Sequence, residues 1–240
     1  MQKTFFAFLC LVFVLTACKE KTVPDMPPRK RACLHFINLH PDYAAIDFRI
    51  KSFETSGNLI DGLAYLDTWP HGGYASLLSL QSKDTSWITY GIIDHTTGAV
   101  IIPDTLLRLY EEKASTLILT KNDAGLPIVI KTLDSFDGDT DSTGNIRLMN
   151  FDQTLTSVTM ISSDTSVLTP NISALNYTGY RAFNIGKKDI YLINNSIPDT
   201  IAILANKDIR LHRNYSVYIV QEPNTTNHLV FWEEMATCVE

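Results

Sequence analysis

The sequence is poor in the features that announce a chemistry. Cysteine occurs four times in 240 residues, too seldom for disulfides to replace a packed core. Basic residues are the minority, 20 Lys and Arg against 26 Asp and Glu, which excludes the positive footprint of a nucleic-acid binder. Only 19% of residues are charged while 45% are hydrophobic, a balance that excludes a disordered chain. The six histidines His35, His40, His71, His95, His212 and His228 fall in no metal-binding spacing. There is no Gly-x-Ser-x-Gly nucleophile elbow. The adjacent carboxylates Glu111-Glu112 and Glu233-Glu234 face opposite sides in a strand, so they recommend no glycosidase pair. No helical apolar stripe runs for three turns behind a cap, which excludes a bundle. The sequence therefore points away from an enzyme and calls for no cofactor.

What is present begins with an address. Lys3 precedes an apolar stretch from Phe5 to Leu15, shorter than the roughly 18 residues a spanning helix needs, so it reads as a signal peptide. Leu15-Thr16-Ala17-Cys18 then resembles the bacterial lipoprotein processing box. The resemblance implies cleavage between Ala17 and Cys18 and lipidation of Cys18 by thioether and acyl chains, palmitate among them. Several chains on one residue anchor a protein stably. Lys19 stands where an inner-membrane retention signal often has Asp, so the expected address is the outer membrane of the cell envelope, with the periplasmic or surface face open. Residues 18–31 carry Pro24, Pro27 and Pro28 among many charges and read as a polar tether.

From residue 32 onward the pattern is all-β. Leu34 to Leu39 and Ile46 to Ile50 alternate around a Pro41-Asp42 turn, and further strands are predicted at Tyr74 to Leu80, Trp87 to Ile93, Leu106 to Glu111 and Ser115 to Thr120. Internal repetition then sets the organisation. Leu34 to Leu39 matches Ile146 to Phe151, with Asn38 and Asn150 in register. Asp47-Phe48-Arg49-Ile50 is echoed by Val158 to Ile161, Leu63-Ala64-Tyr65 by Leu175-Asn176-Tyr177, and Gly73-Tyr74 by Gly179-Tyr180. Ile102-Pro103-Asp104-Thr105-Leu106 matches Ile197-Pro198-Asp199-Thr200-Ile201, and Thr116 to Leu119 matches Ser216 to Val220. The expected layout is a signal peptide at 1–17, a lipidated tether at 18–31, a β-sandwich domain at 32–134, an acidic linker at 135–144 and a second sandwich with a C-terminal tail at 145–240. Leu229 to Trp232 in that tail reads as a final strand or a packed patch.

The opening of the first copy, from Leu34 through Asn38, Pro41, Asp42 and Ala44 to Asp47 and Phe48, with the later Gly62-Leu63-Ala64-Tyr65, resembles the uncharacterised bacterial domain of unknown function 4397. His40 departs from that pattern, where Ser is usual, and the second copy lacks the Pro-Asp pair. The resemblance covers most of residues 32–222 and implies immunoglobulin-like sandwiches in a cell-envelope setting, with no known activity.

A few residues are candidates for more. Asp137, Asp139 and Asp141 have the opening spacing of a calcium loop, but Leu148 stands where the bidentate Glu belongs and Ser142 where the glycine belongs, so a solvated acidic linker is the better reading. Cys33 and Cys238 can pair in an oxidising envelope or remain separate thiols. Thr105 and Thr200, each after Asp, resemble the acceptor of an envelope O-glycan, with turn chemistry as the other reading. Among the aromatics Trp69, Tyr74, Trp87, Tyr90, Tyr177, Tyr180 and Trp232, an exposed ring would suit a sugar or a protein partner. The sequence thus predicts a non-enzymatic envelope lipoprotein that displays tandem sandwiches for binding, adhesion or scaffolding, with a protein or glycan partner. A fimbrial subunit processed near Arg31, after Arg29-Lys30-Arg31, is the alternative, and a glycan-binding surface lipoprotein another.

Overall fold

The computed structural model describes residues 30–51, 56–70, 75–80, 85–110, 113–134, 142–223 and 225–235. Every regular element among them is a strand. The first half runs β1 (Lys30–Asn38), β2 (Ala45–Lys51), β3 (Ser56–Ala64), β4 (Thr68–Trp69), β5 (Ala75–Leu80), β6 (Thr85–Asp94), β7 (Val100–Tyr110), β8 (Ala114–Lys121) and β9 (Pro127–Asp134). The second half follows with β10 (Thr143–Asn150), β11 (Val158–Ser162), β12 (Val167–Ile172), β13 (Asn176–Tyr177), β14 (Arg181–Asn184), β15 (Gly186–Asn194), β16 (Asp199–Ile209), β17 (Asn214–Gln221) and β18 (His228–Met235).

Each half builds the same pair of sheets. In the first, β4-β1-β8-β9, with β5 also on β1, faces β3-β2-β6-β7. In the second, β13-β10-β17-β18, with β14 on β10, faces β12-β11-β15-β16. The opening strand of each half lies parallel to its penultimate strand, β1 to β8 and β10 to β17. Alternation supplies the two cores. Leu34, Phe36, Phe48, Ile92, Leu117 and Leu119 fill the first, and Ile146, Leu148, Met160, Leu192, Val217 and Ile219 the second.

The opposite faces of β1, β8, β10 and β17 are buried too. Ile37, Leu39 and Ile118 meet Met149, Phe151, Tyr218 and Val220 in a third apolar cluster. The two inner sheets therefore pack face to face, and the molecule is four sheets deep. This double burial explains why β8, β10 and β17 are buried along almost their whole length, a property more familiar from covered parallel sheets. Tyr218 and Phe231 stack in this seam with ring centroids 4.6 Å apart.

Pairing registers correct parts of the predicted repeat. Lys30 and Arg31 belong to β1, not to the tether, and Thr143 and Gly144 belong to β10, not to the linker. Phe48 and Met160 take equivalent places opposite Ile92 and Leu192, so Asp47 corresponds to Thr159, one residue from the sequence match. Leu66, not Leu63, corresponds to Leu175: both precede the short strand facing the first strand of their half, and both hold a positive φ, 64° and 54°. The Ile-Pro-Asp-Thr match is a coincidence of composition. Ile102 lies opposite Ile92 and Ala202 opposite Leu192, so Thr105 and Thr200 are not equivalent. The C-terminal run is no appendage, because β18 pairs with β17 as β9 pairs with β8.

Candidate binding face

The conserved geometry between the halves separates residues the fold uses from residues it does not need. Asn38 and Asn150 are of the first kind. Asn38 donates from Nδ2 to the carbonyls of Tyr43 and Leu63, each at 3.3 Å, and accepts the His40 amide at 3.2 Å. Asn150 likewise donates to Leu155 O at 2.7 Å and accepts the Asp152 amide at 3.1 Å. Both are buried, so these bonds satisfy polar groups that would otherwise cost free energy.

The seam between the inner sheets is a second structural site. Arg147 on β10 crosses it to Asp134 on β9, its side chain 2% exposed. It also donates to Ser216 Oγ at 2.8 Å, Thr116 Oγ1 at 3.0 Å and Thr132 Oγ1 at 3.2 Å, and lies 4.3 Å from the Tyr180 ring centroid. His35, the counterpart of Arg147 in the first half, sits 3.3 Å from Glu233 on β18. Burial raises the Glu233 pKa, but hydrogen bonds and charge from His35, with Thr68 and Tyr218, outweigh it and hold the carboxyl below its usual range. Burial, reinforced by the Glu233 charge, pushes the Tyr218 hydroxyl well above its usual value.

The outer face of the β3-β2-β6-β7 sheet carries residues of the second kind. Trp87 on β6 and Arg108 on β7 are cross-strand partners. The Arg108 guanidinium lies 5.8 Å from the Trp87 ring centroid and 5.1 Å from that of Tyr110, and the Lys131 ammonium is 5.2 Å from the Tyr110 ring. Trp87 is 56% exposed and Leu106, on the same face, 65%. Among the described residues neither Arg108 nor Lys131 has a carboxylate partner. Burial and the Arg108 charge lower the Lys131 pKa. At the equivalent cross-strand position the second half has Lys187 opposite Asp208, and Arg210 follows where Tyr110 stands. Sheet geometry alone does not require the aromatic–cationic cluster.

Further along this face, Lys51 on β2 reaches over Gly91 to pair with Asp104 on β7. A Cβ on Gly91 would stand 3.0 Å from Asp104 Oδ1. At the far end Asp47, Asp61 and His95 bring one ligand-type atom each within 4.8 Å of one another. Asp47 accepts the Gly62 amide at 2.8 Å and bonds His95 Nδ1 at 2.6 Å. Burial opposes the Asp47 charge, while Gly62, His95 and Asp61 prevail and lower its pKa. The Asp47 bond and charge raise that of His95. The second half has Thr159 and Asn195 here, bonded at 2.8 Å. Sequence reading missed this trio, because Asp47 and His95 stand 48 positions apart and leave no local spacing to recognise.

The comparisons give no family. No family model matches the chain, and no curated protein does. Similar solved structures include the maltoheptaose complex of CBMbc, a family CBM26 module of Eubacterium rectale Amy13K, at 10% identity over 83% of this chain and 96% of that one, TM-score 0.27. Proposed cell adhesion proteins from Bacteroides uniformis and Bacteroides fragilis follow. The first is 7% identical over 86% of this chain and 98% of its own, TM-score 0.23, and the second 9% over 92% and 90%, TM-score 0.22. With scores this low the architecture rests on the strands' own pairing.

The other expected residues distribute as follows. Among the aromatics, Trp87 and Tyr177 are exposed, while Tyr90, Trp69, Tyr180 and Trp232 pack on cores or in the seam. Thr105 is exposed on edge strand β7 and donates to Pro103 O at 2.7 Å; Thr200, also exposed, is the second residue of edge strand β16, its amide donating to Asp199 Oδ1. Glu233 faces the seam and Glu234 the Arg210–Arg213 side. Cys33 is disulfide-bonded. Ala17, Cys18, Tyr74, Asp137, Asp139, Asp141 and Cys238 lie outside the described residues. Among the described residues no helix is long and apolar enough to cross a membrane.

Proposed function

We propose that the chain is a non-enzymatic lipoprotein of the outer membrane, anchored at Cys18, whose first sandwich binds an anionic saccharide at the Trp87–Arg108–Tyr110–Lys131 face. One observation carries this reading: the second half builds the same cross-strand position from Lys187 and Asp208, so the exposed ring and the cations beside it in the first are surplus to folding. An exposed indole stacks on the apolar face of a pyranose ring. Two cations that meet no carboxylate among the described residues form a local positive patch that attracts a carboxylate- or sulfate-bearing sugar, against the overall charge of -6. The tandem sandwiches then act as a rigid stand that holds this face away from the lipid.

A glycan array of acidic and neutral saccharides tests the site. Acidic glycans should retain the protein, and Trp87→Ala or Arg108→Ala should weaken retention about tenfold. An array with no acidic hits, or variants that bind unchanged, would overturn it. The anchor is tested apart from the site: Cys18→Ala should leave the membrane fraction, and persistent membrane association would refute lipidation.

A further inference from the structure

We propose that Asp47, Asp61 and His95 form a site for one divalent metal ion of the zinc type, at the corner where β2, β3 and the end of β6 meet. Each residue offers one ligand atom, and the three atoms lie within 4.8 Å of one another. Two carboxylate oxygens and one imidazole nitrogen make a mixed donor set. Ca²⁺ and Mg²⁺ prefer oxygen throughout, whereas Zn²⁺ takes nitrogen and oxygen together at about 2.0–2.2 Å. The corner lies at the far end of the sheet from the Trp87 cluster, and the saccharide reading does not depend on it.

The spacing suits such an ion. In a tetrahedron of that size neighbouring ligand atoms stand roughly 3.3–3.6 Å apart. Asp61 Oδ1 and His95 Nδ1 are already 3.6 Å apart. Asp47 Oδ1 and His95 Nδ1, at 2.6 Å, share a proton. The metal takes the place of that proton, and the two atoms part by about 1 Å or less to admit it. The Gly62 amide donates to the same Asp47 oxygen at 2.8 Å and orients the carboxylate, as outer-shell partners of a metal do. Gly62 holds a φ of +70°, a left-handed value at which a side chain is strained. The side chains of His95 and Asp61 are 45% and 73% exposed, so an ion enters from solvent and water completes the fourth position.

The second half shows that the fold closes this corner without such ligands. Ile46 pairs with Leu63 and Phe48 with Ile60, as Val158 pairs with Ile172 and Met160 with Thr169, so Pro170 and Asn171 stand where Asp61 and Gly62 stand. The Asn195 amide donates to Ser157 O as the His95 amide does to Ala45 O, which makes Asn195 the counterpart of His95. Asn195 then donates to Thr159 Oγ1 at 2.8 Å and to Asn171 Oδ1 at 3.2 Å, a junction of neutral groups. The first half instead brings Asp61 within hydrogen-bonding reach of Asp47, and like charges so placed repel. Protonated His95 supplies one positive charge against these two; Zn²⁺ supplies both.

Calorimetric titration of the untagged full chain, stripped of metal with EDTA and dialysed, tests the site with ZnCl₂ against CaCl₂. One zinc per chain is expected, with the His95 ring resonances displaced in the zinc-bound NMR spectrum and no saturable heat from calcium. Outer-shell partners alone are worth about 10–100-fold in affinity. His95→Asn, the residue the second half holds here, and Asp61→Asn should therefore each weaken zinc binding by more than about a hundredfold, while circular dichroism in EDTA shows both variants folded. No zinc uptake by the folded wild type, uptake unchanged in both variants, or a preference for calcium would overturn the site and leave the trio a hydrogen-bonded ion pair.

Discussion

His35 and Arg147 occupy the same position in their respective halves, and each meets a carboxylate on the last strand of the other half. The reciprocity is imperfect in an informative way. Register sets Thr132 in the place of Glu233 and Asp134 in that of Met235, so the two acids sit one pleat apart. The seam thus has the approximate two-fold logic of a homodimer, specialised so that each half supplies what the other lacks.

Breaking the stronger of these pairs should unfold the seam first. Arg147→Met leaves Asp134 buried without its cation, and removing one partner of such a pair costs about 3–5 kcal/mol. Urea denaturation should register that loss. Adding Asp134→Leu to Arg147→Met should recover most of it, since apolar groups of similar volume replace buried ion pairs at little cost. A double variant no more stable than the single one would show that the threonines around Asp134, not the charge, set the energetics.

Acid should act through Glu233. Its folded pKa is depressed below the ordinary 4.5, so its contribution is fully present above that value and is lost as pH falls through the folded pKa. Urea midpoints measured from pH 7 to pH 3 should drop at the acid end in the wild type. Glu233→Gln should flatten this limb while lowering stability at pH 7 by about 1–3 kcal/mol, the cost of imperfectly replaced buried bonds.

The His95 pair should titrate with the opposite sign. Its pKa is raised by Asp47, so the stabilisation is complete below the ordinary 6.5 and disappears as pH rises through the folded value. NMR titration of the His95 ring should place its midpoint above the ordinary value, and Asp47→Thr, the residue at this position in the second half, should bring it back. An unmoved midpoint would assign the shift to Asp61 and Asp94 instead.

Fold class was readable because half-buried strands alternate, and Asn38 and Asn150 were readable because a buried turn needs the same side chain in both halves. Register was harder. A β-bulge adds a residue without changing composition, and shifts in β7 and β15-β16 pairing let Ile-Pro-Asp-Thr recur at places that do not correspond. The seam was hidden for a different reason. Strands buried on both faces lose their polar–apolar alternation, and Arg147 or His35 in a strand ordinarily signals a solvent face. Trp87 was visible as an aromatic, but only its counterpart Lys187 shows that the scaffold does without it.

The parallel pairing of β1 with β8, and of β10 with β17, also bears on the order in which the chain can fold as it is made. Cys33 waits for Ala114, and Asn145 for Asn214, so neither half can complete its inner sheet until most of that half has emerged. Long-range pairing of this kind delays closure. While the chain is being made the early strands therefore remain without their mates, and each inner sheet closes only when the second of its two parallel strands arrives.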